Sequence, residues 1–257
     1  VSTGGVRRQK GTTVGDRVVV RHVDEVSVVE MCEGENRWNS ELVEALHEAL
    51  DEVEATNGPQ ALVTTSTHPK AFSNGADLEW LAERNPDELS QFIRAASELQ
   101  ARMIGFPMPT IAAVNGHAFG MGMVWALCHD QRVMRSDRGF MCFNEIELGM
   151  VAPKPGLSLM RHKLTQPAFY DTVQFAKRWS AEEAFQSGFV HELAADGEVS
   201  AAGIARGQGF AYLGENRKAF GALKERIWGE ESAITDSNGP VQMLMNRSDY
   251  DPPLLPY

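Results

Sequence analysis

One glycine-punctuated stretch, Pro109–Val151 (PTIAAVNGHAFGMGMVWALCHDQRVMRSDRGFMCFNEIELGMV), limits what this chain can fold into more than any other segment. It reads as strand, glycine-rich turn, helix, strand, strand and acidic loop. Thr110–Val114 is short, apolar and β-compatible, and it stops at the turn-favouring pair Asn115-Gly116. Gly116, Gly120 and Gly122 then allow tight turning and close approach, and the apolar run Met121–Cys128 has the length of a buried helix. A helix starting there directs free N–H groups at whatever occupies the turn, which suits a developing negative charge. Glu145 lies downstream, where it can act on that charge.

The rest of the chain is consistent with one core. At 257 residues, one main domain with a smaller helical appendage is expected, and two large domains are not. The formal net charge of −11 argues against nucleic acid or an anionic membrane as partner, and no apolar run reaches the ~18 residues of a membrane span. Cys32, Cys128 and Cys142 are odd in number and lack metal-type spacing. They read as buried free thiols in a reducing compartment, with the cytoplasm as the default. Residues 1–16 read as a disordered lead-in, 17–195 as the core and 196–257 as a C-terminal helical region.

In chain order, the β-branched runs Val18–Val23 and Val26–Met31 around Asp24-Glu25 predict a hairpin. Asn39 or Ser40 can cap a helix carrying Leu42, Leu46, Leu50 and Val53 at helical spacing, whose acidic face, Glu41 to Glu54, reads as solvated. Ala61–Thr67 has strand character. HPKAFSNGADL after it reads as a loop ending at a capping Asp77. Phe92, Ala96, Leu99 and Met103 mark a longer helix that stops before Pro107 and Pro109. Beyond the central stretch, Leu157–Leu164 and Pro167–Ala176 look helical, Ser180 and Glu183 form a capping box, and Val190–Leu193 is a short strand. Ser200 to about Glu231 is amphipathic and helical. Alternating strands and helices predict an α/β fold with the chemistry on strand-end loops.

Four segments, ENRWNSEL, KAFSNGADL, AAVNGHAFGMGMVWALCHD and NEIELGMVAP, resemble those of the crotonase superfamily, the enoyl-CoA hydratase and isomerase family, in its order and at about its spacing. The likeness runs from about Val18 to Val190. It implies a spiral of ββα units followed by C-terminal helices, assembled as a homotrimer or dimer of trimers. It further implies an acyl-CoA thioester as substrate, with no separate cofactor and no metal. By motif position, the backbone N–H groups of Ala76 and Met121 would form an oxyanion hole. Fixed N–H dipoles stabilise charge on the thioester oxygen without reorganising.

The family's hydratases carry two glutamates. Here the first position is Val124 and the second is Glu145. A single carboxylate is poorly equipped to add water but can carry a proton from C2 to C4 of a 3-enoyl thioester. NEIELGMVAP resembles the matching segment of delta-3, delta-2 enoyl-CoA isomerases, which leads to the isomerase reading. Hydration, thioester hydrolysis, decarboxylation or non-catalytic acyl-CoA binding stand as alternatives. Asn74 matches a position whose backbone carbonyl contacts adenine in relatives, and Arg37 and Lys70 are candidates for CoA phosphates or simply solvated cations. Where many relatives have a lysine soon after the Asp, this chain has Glu79. Glu147 reads as a solvated or capping carboxylate, His117 and His129 as structural, and Met121, Met123 and Met150 as either acyl pocket or core filler.

Overall fold

The structure, a computed structural model, describes residues 12–14, 17–58, 60–151 and 154–228. Its first strand, β1 (Thr12–Val14), lies inside the stretch expected to be a disordered lead-in, and it pairs antiparallel with Val18–Val20. The hairpin forms as expected. Strands β2 (Val18–Val23) and β3 (Val26–Met31) are antiparallel, and Asp24 makes the turn at a φ of 51°, a left-handed conformation a short polar side chain tolerates.

Helix α1 (Ser40–Glu54) starts at Asn39, whose side chain accepts from the Leu42 N–H, and it buries Leu42, Leu46, Leu50 and Val53. Its acidic face is solvated as expected, with Asp51 and Glu54 exposed even where they pair with Arg102. Strand β4 (Ala61–Ser66) follows, buried along its whole length, and then β5 (Ala71–Ser73). Asp77 caps α2 (Leu78–Ala82), and an Asn85/Glu88 capping box starts α3 (Pro86–Ile104), which buries Phe92, Ala96, Leu99 and Met103.

The central stretch supplies β6 (Thr110–Val114), β7 (His117–Phe119), α4 (Met121–Cys128), β8 (Gln131–Arg135), β9 (Met141–Cys142) and a 3-10 turn at Glu145–Leu148. Helices α5 (Lys154–Lys163), α6 (Gln166–Phe175) and α7 (Ala181–Gln186) follow, α7 with the expected Ser180/Glu183 box. Next come β10 (Glu192–Ala194), α8 (Val199–Phe210), a 3-10 turn at Ala211–Asn216 and α9 (Arg217–Trp228). The expected helical tail beyond Trp228 lies outside the described residues.

Among the described residues the strands form two sheets, one in the order β1-β2-β3-β4-β6-β8-β10 and a smaller one in the order β5-β7-β9. From β3 onward all pairings within the sheets are parallel. Strands β4, β6 and β8 of the large sheet are each followed by a three- or two-residue strand of the small sheet. That alternation is the spiral of ββα units expected from the resemblance. Strands β5 and β7 correct the sequence reading, which had a loop and a turn there.

The large sheet buries apolar side chains on both faces. One face packs with α1, α3 and α4 into the main core. The other carries Val26, Val63, Ile111, Ala113 and Val133, covered by α8. Gly203 and Gly207 make that contact close: a Cβ at Gly203 would lie 2.9 Å from the Ala113 Cβ. Helix α8 is therefore part of the sheet's packing.

Candidate active site

The small sheet brings two turns together. Strand β5 ends at Ser73 and leads through Gly75 to Ala76; its neighbour β7 ends at Phe119 and leads through Gly120 into α4 at Met121. The turns touch through their glycines. Gly75 has φ 78° and Gly120 φ 51°, both in the left-handed region. A Cβ on Gly75 would lie 2.7 Å from the Phe119 carbonyl oxygen and 3.6 Å from the Gly120 Cα.

Each turn offers a backbone donor just past its glycine. Trp38 forms a parallel bridge with Ala76, in which the Trp38 N–H donates to the Gly75 carbonyl at 2.8 Å and the Asp77 N–H donates to the Trp38 carbonyl at 2.9 Å. In a parallel ladder the residue between those two bonds directs its own N–H to the opposite side. The Ala76 N–H therefore faces away from Trp38. Helix α4 begins at Met121 with no side-chain cap, and the N–H groups of Met123 and Val124 return to the Gly120 carbonyl at 3.0 and 3.1 Å. The N–H of Met121 precedes these bonds, at the positive end of the helix dipole.

Glu145 is held beside the same turn. The Gly120 N–H donates to the Cys142 carbonyl at 2.8 Å, which ties β9 to the start of α4. Three residues on, the 3-10 turn opens with Glu145. Its carbonyl accepts from the Met150 N–H at 2.9 Å while Gly149 closes the turn at φ 68°. The Glu145 Oε1 lies 3.0 Å from where a Gly120 Cβ would stand, and its Oε2 is buried without a hydrogen-bond partner. Burial pushes this carboxyl up to about 7, against a smaller downward pull from its own backbone N–H. A group poised there exchanges a proton at neutral pH.

Val124, one turn into α4, is 4% exposed and belongs to the main core, so no second carboxylate stands at that position. Met123 is fully buried core and Met121 packs partly against it. Glu147 is exposed and forms a two-point ion pair with Arg178, at 2.7 and 3.0 Å.

Of the remaining candidates, Asn74 and Arg37 are close in sequence to the Trp38–Ala76 bridge, whereas Lys70 lies at the opposite end of β5, its carbonyl accepting from the His117 N–H. The Asn74 N–H donates to the Glu35 carbonyl at 3.0 Å. Hydrogen bonding from the Asn74 side chain, then from Arg37, holds the Glu35 carboxyl below its usual range. Asn74 Oδ1 is buried and unpartnered. Arg37 is engaged by Glu35 at 2.6 Å, whereas Lys70 is exposed and makes no ion pair among the described residues.

His129 and His117 are engaged in internal hydrogen bonds. His129 is buried between the Trp125 carbonyl, 2.9 Å from Nδ1, and the Thr64 hydroxyl, 2.8 Å from Nε2. A carbonyl can only accept, so Nδ1 carries the proton, and burial lowers this imidazole to about 3, leaving it neutral. His117 receives the Phe140 N–H at 3.3 Å. The three cysteines are free, and burial raises Cys128 to about 12 and Cys142 to about 11, which makes these two thiols poor nucleophiles. Among the described residues no group of His, Cys, Asp or Glu is placed to hold a metal ion, and no helix is long and apolar enough to cross a membrane.

Sequence reasoning reached Gly120 and Gly122 as turn glycines and passed over Ser73. The spacing of the glycines was the available signal; Ser73 carried none.

A family model described as enoyl-CoA hydratase/isomerase matches residues 24–232. An enoyl-CoA delta isomerase 1, peroxisomal, from Arabidopsis thaliana is 31% identical over 201 residues, 77% of this chain and 83% of the relative. A second Arabidopsis protein, enoyl-CoA delta isomerase 2, peroxisomal, is 29% identical over 79% of this chain and 88% of its own length. Among solved structures, an apo enoyl-CoA isomerase from Mycobacterium tuberculosis superposes with a TM-score of 0.79 at 27% identity, covering 91% of this chain and 99% of that one. Another structure of that mycobacterial protein describes it as a probable enoyl-CoA hydratase, at the same TM-score and 28% identity.

Proposed function

Since the chain belongs to the enoyl-CoA hydratase/isomerase family, and within it is most like the enoyl-CoA isomerases, we propose that it moves the double bond of a 3-enoyl-CoA to the 2-position. The observation that carries this reading is one desolvated carboxyl, Glu145, beside the glycine turn that leads to Met121, with Val124 where a hydratase has its first glutamate.

In this mechanism the Glu145 carboxylate takes a proton from C2. The C–H electrons form a C1–C2 double bond, and charge moves onto the thioester oxygen, giving a dienolate with the C3–C4 double bond retained. The N–H groups of Ala76 and Met121 stabilise that oxygen, and removing one such donor typically costs about 10²–10³ in rate. Glu145 returns the proton at C4, the double bond settles between C2 and C3, and the carboxylate is regenerated. A carboxyl titrating at about 7 is matched to both steps, as a base strong enough to remove the proton and an acid able to give it back.

Substrate binding in the same reading draws on the Asn74 backbone carbonyl for the adenine and on Lys70 and Arg37 for the phosphates. Lys70 is the freer of the two cations, since Glu35 already holds Arg37. The assembly proposed is a homotrimer or dimer of trimers, supported by exposed apolar side chains such as Phe175, Ile146 and Val151, at 72, 55 and 49%. The free thiols support a reducing compartment, the cytoplasm in this reading.

Incubation with a 3-enoyl-CoA, followed by the absorbance of the conjugated 2-enoyl thioester, tests the activity. Fast conversion that Glu145→Gln abolishes supports it. Hydration of a 2-enoyl-CoA faster than isomerisation, or full activity in Glu145→Gln, overturns it.

A further inference from the structure

We propose that Ser73 is a positioning residue that braces both halves of the oxyanion hole. The inference rests on the reading of Ala76 and Met121 given above, and it adds a residue that touches neither substrate nor reacting atoms.

Ser73 ends β5 and is fully buried. Its hydroxyl donates to the Asn36 carbonyl at 2.7 Å and accepts from the Trp38 indole N–H at 3.2 Å and from the Gly75 N–H at 3.3 Å. A hydroxyl has one proton and two lone pairs, so this one is saturated within the protein. The Gly75 N–H belongs to the turn that presents Ala76, and Trp38 bridges Ala76 from the other side. Both partners that aim the Ala76 N–H therefore meet at one oxygen.

The second half of the hole leans on the same residue. A Cβ at Gly122 would lie 2.4 Å from the Ser73 carbonyl oxygen and 2.8 Å from its Oγ, so the first turn of α4 rests directly on Ser73. Met121 is the neighbour of Gly122. The Trp38 ring also meets Trp125 of α4 edge to face at 5.6 Å, joining the two halves a second time. Ser73 sets the spacing between the donors by contacting the Gly75–Ala76 turn through a hydrogen bond and the Met121–Gly122 turn through packing. Misplacing donors by a fraction of an ångström weakens transition-state binding more than ground-state binding.

The matched control is Ser66. It is also buried, it donates to the Ala71 carbonyl at 2.8 Å, and it accepts from Asn36 Nδ2 at 2.7 Å and from the His68 N–H at 3.0 Å. It touches neither turn in these contacts. Ser73→Ala and Ser66→Ala each delete one saturated buried hydroxyl, so their losses in thermal midpoint should be alike. Only Ser73→Ala should lower kcat, by about 10-fold with KM within about 2-fold of the parent.

The Raman carbonyl frequency of bound 2-enoyl-CoA gives a readout free of turnover. It should fall on binding to the parent and to Ser66→Ala, and fall distinctly less on binding to Ser73→Ala. If Ser73→Ala does not fold, Trp38→Phe removes one donor to the hydroxyl while keeping the backbone bridge, and should show a smaller change of the same kind. An unchanged kcat and carbonyl shift in the folded variant overturns the brace alone. No carbonyl shift in the parent overturns the oxyanion-hole reading, and the brace with it.

Discussion

Gly75 and Gly120 meet backbone to backbone: a Cβ on Gly75 would stand 3.6 Å from the Gly120 Cα and only 2.7 Å from the Phe119 carbonyl oxygen. Two turns that each present an N–H one residue later in the proposed mechanism are thereby packed against each other without side chains between them. Gly75→Ala forces the turns apart at a φ of 78°, where an L side chain is also strained. The expected outcome is a fall in kcat of about 10²-fold, the scale of one lost donor, with a stability loss of about 1–3 kcal/mol. Steady-state kinetics and urea denaturation on the same preparation check both numbers.

In the proposed mechanism Glu145 acts as the carboxylate, the form in which its burial costs stability. Its carboxyl is raised from 4.5 to about 7, so the folded state holds a proton that the unfolded state has released between those values. Stability therefore falls as pH rises through that window. Stability associated with the neutral carboxyl is fully present below about 4.5 and lost above about 7, a difference on the order of 3 kcal/mol. Glu145→Gln removes the titration. It should be more stable than the parent at pH 8 and no more stable at pH 4.5, while parent kcat/KM rises from pH 5.5 to a plateau above about 7. A variant whose stability advantage is the same at both pH values contradicts the desolvated carboxyl.

The longer elements were legible in the sequence because each carries several residues of periodic burial. Leu42, Leu46, Leu50 and Val53 mark α1, and Phe92, Ala96, Leu99 and Met103 mark α3, and all eight are buried. Strands β5 and β7 were not legible, since three residues are too few to establish a period of two and both lie among turn-forming residues. The site inherits this division. Glu145, Ala76 and Met121 were reached through motif order, and Gly75 with Gly120 through punctuation. The role of Ser73 depends on β5 being a strand, on the Trp38 bridge and on the approach of Gly122, three long-range facts that no local pattern encodes. Strand β1 escaped for a similar reason: Thr12–Val14 is defined by its partner in β2 rather than by its own composition.

Val124 decides between isomerisation and hydration in this mechanism. It is 4% exposed on the helix that begins at Met121, so a carboxylate there would be buried as well. Val124→Glu should cost about 2–4 kcal/mol of stability from placing an ionisable group in the core. It should also lower isomerase kcat about 10-fold or more, because a second acid on the helix that begins at Met121 competes with Glu145 for the proton in the proposed mechanism. Hydration of 2-enoyl-CoA should rise above the parent's background. Stability and the isomerase-to-hydratase ratio are the measurements, and an unaltered ratio in a folded variant removes Val124 as the determinant.

The far end of the Met121–Cys128 helix is fastened by charge, and Lys224 is the part of that fastening which reaches from α9. Its side chain is 4% exposed, with Nζ 2.7 Å from Asp130 Oδ2 and 3.1 Å from the Met108 carbonyl. Asp130 in turn accepts from the Thr110 N–H and hydroxyl at 2.9 and 3.1 Å, so one carboxylate joins the start of β6, the end of α4 and α9. Lys224→Met keeps the aliphatic packing but takes away the buried cation that pairs with the half-buried Asp130, leaving it Thr110 and the charges of Arg132 and Lys163. A loss of about 1–2 kcal/mol is expected, less than for a fully buried pair because Asp130 keeps some solvent and neighbouring cations. The double change Lys224→Met with Asp130→Asn should recover part of it. Neither residue contacts the Gly75–Gly120 region, so KM and kcat at temperatures well below the melting transition should stay within about 2-fold of the parent. Thermal melts of the three variants, with kinetics measured on each, separate a fastening role from a catalytic one.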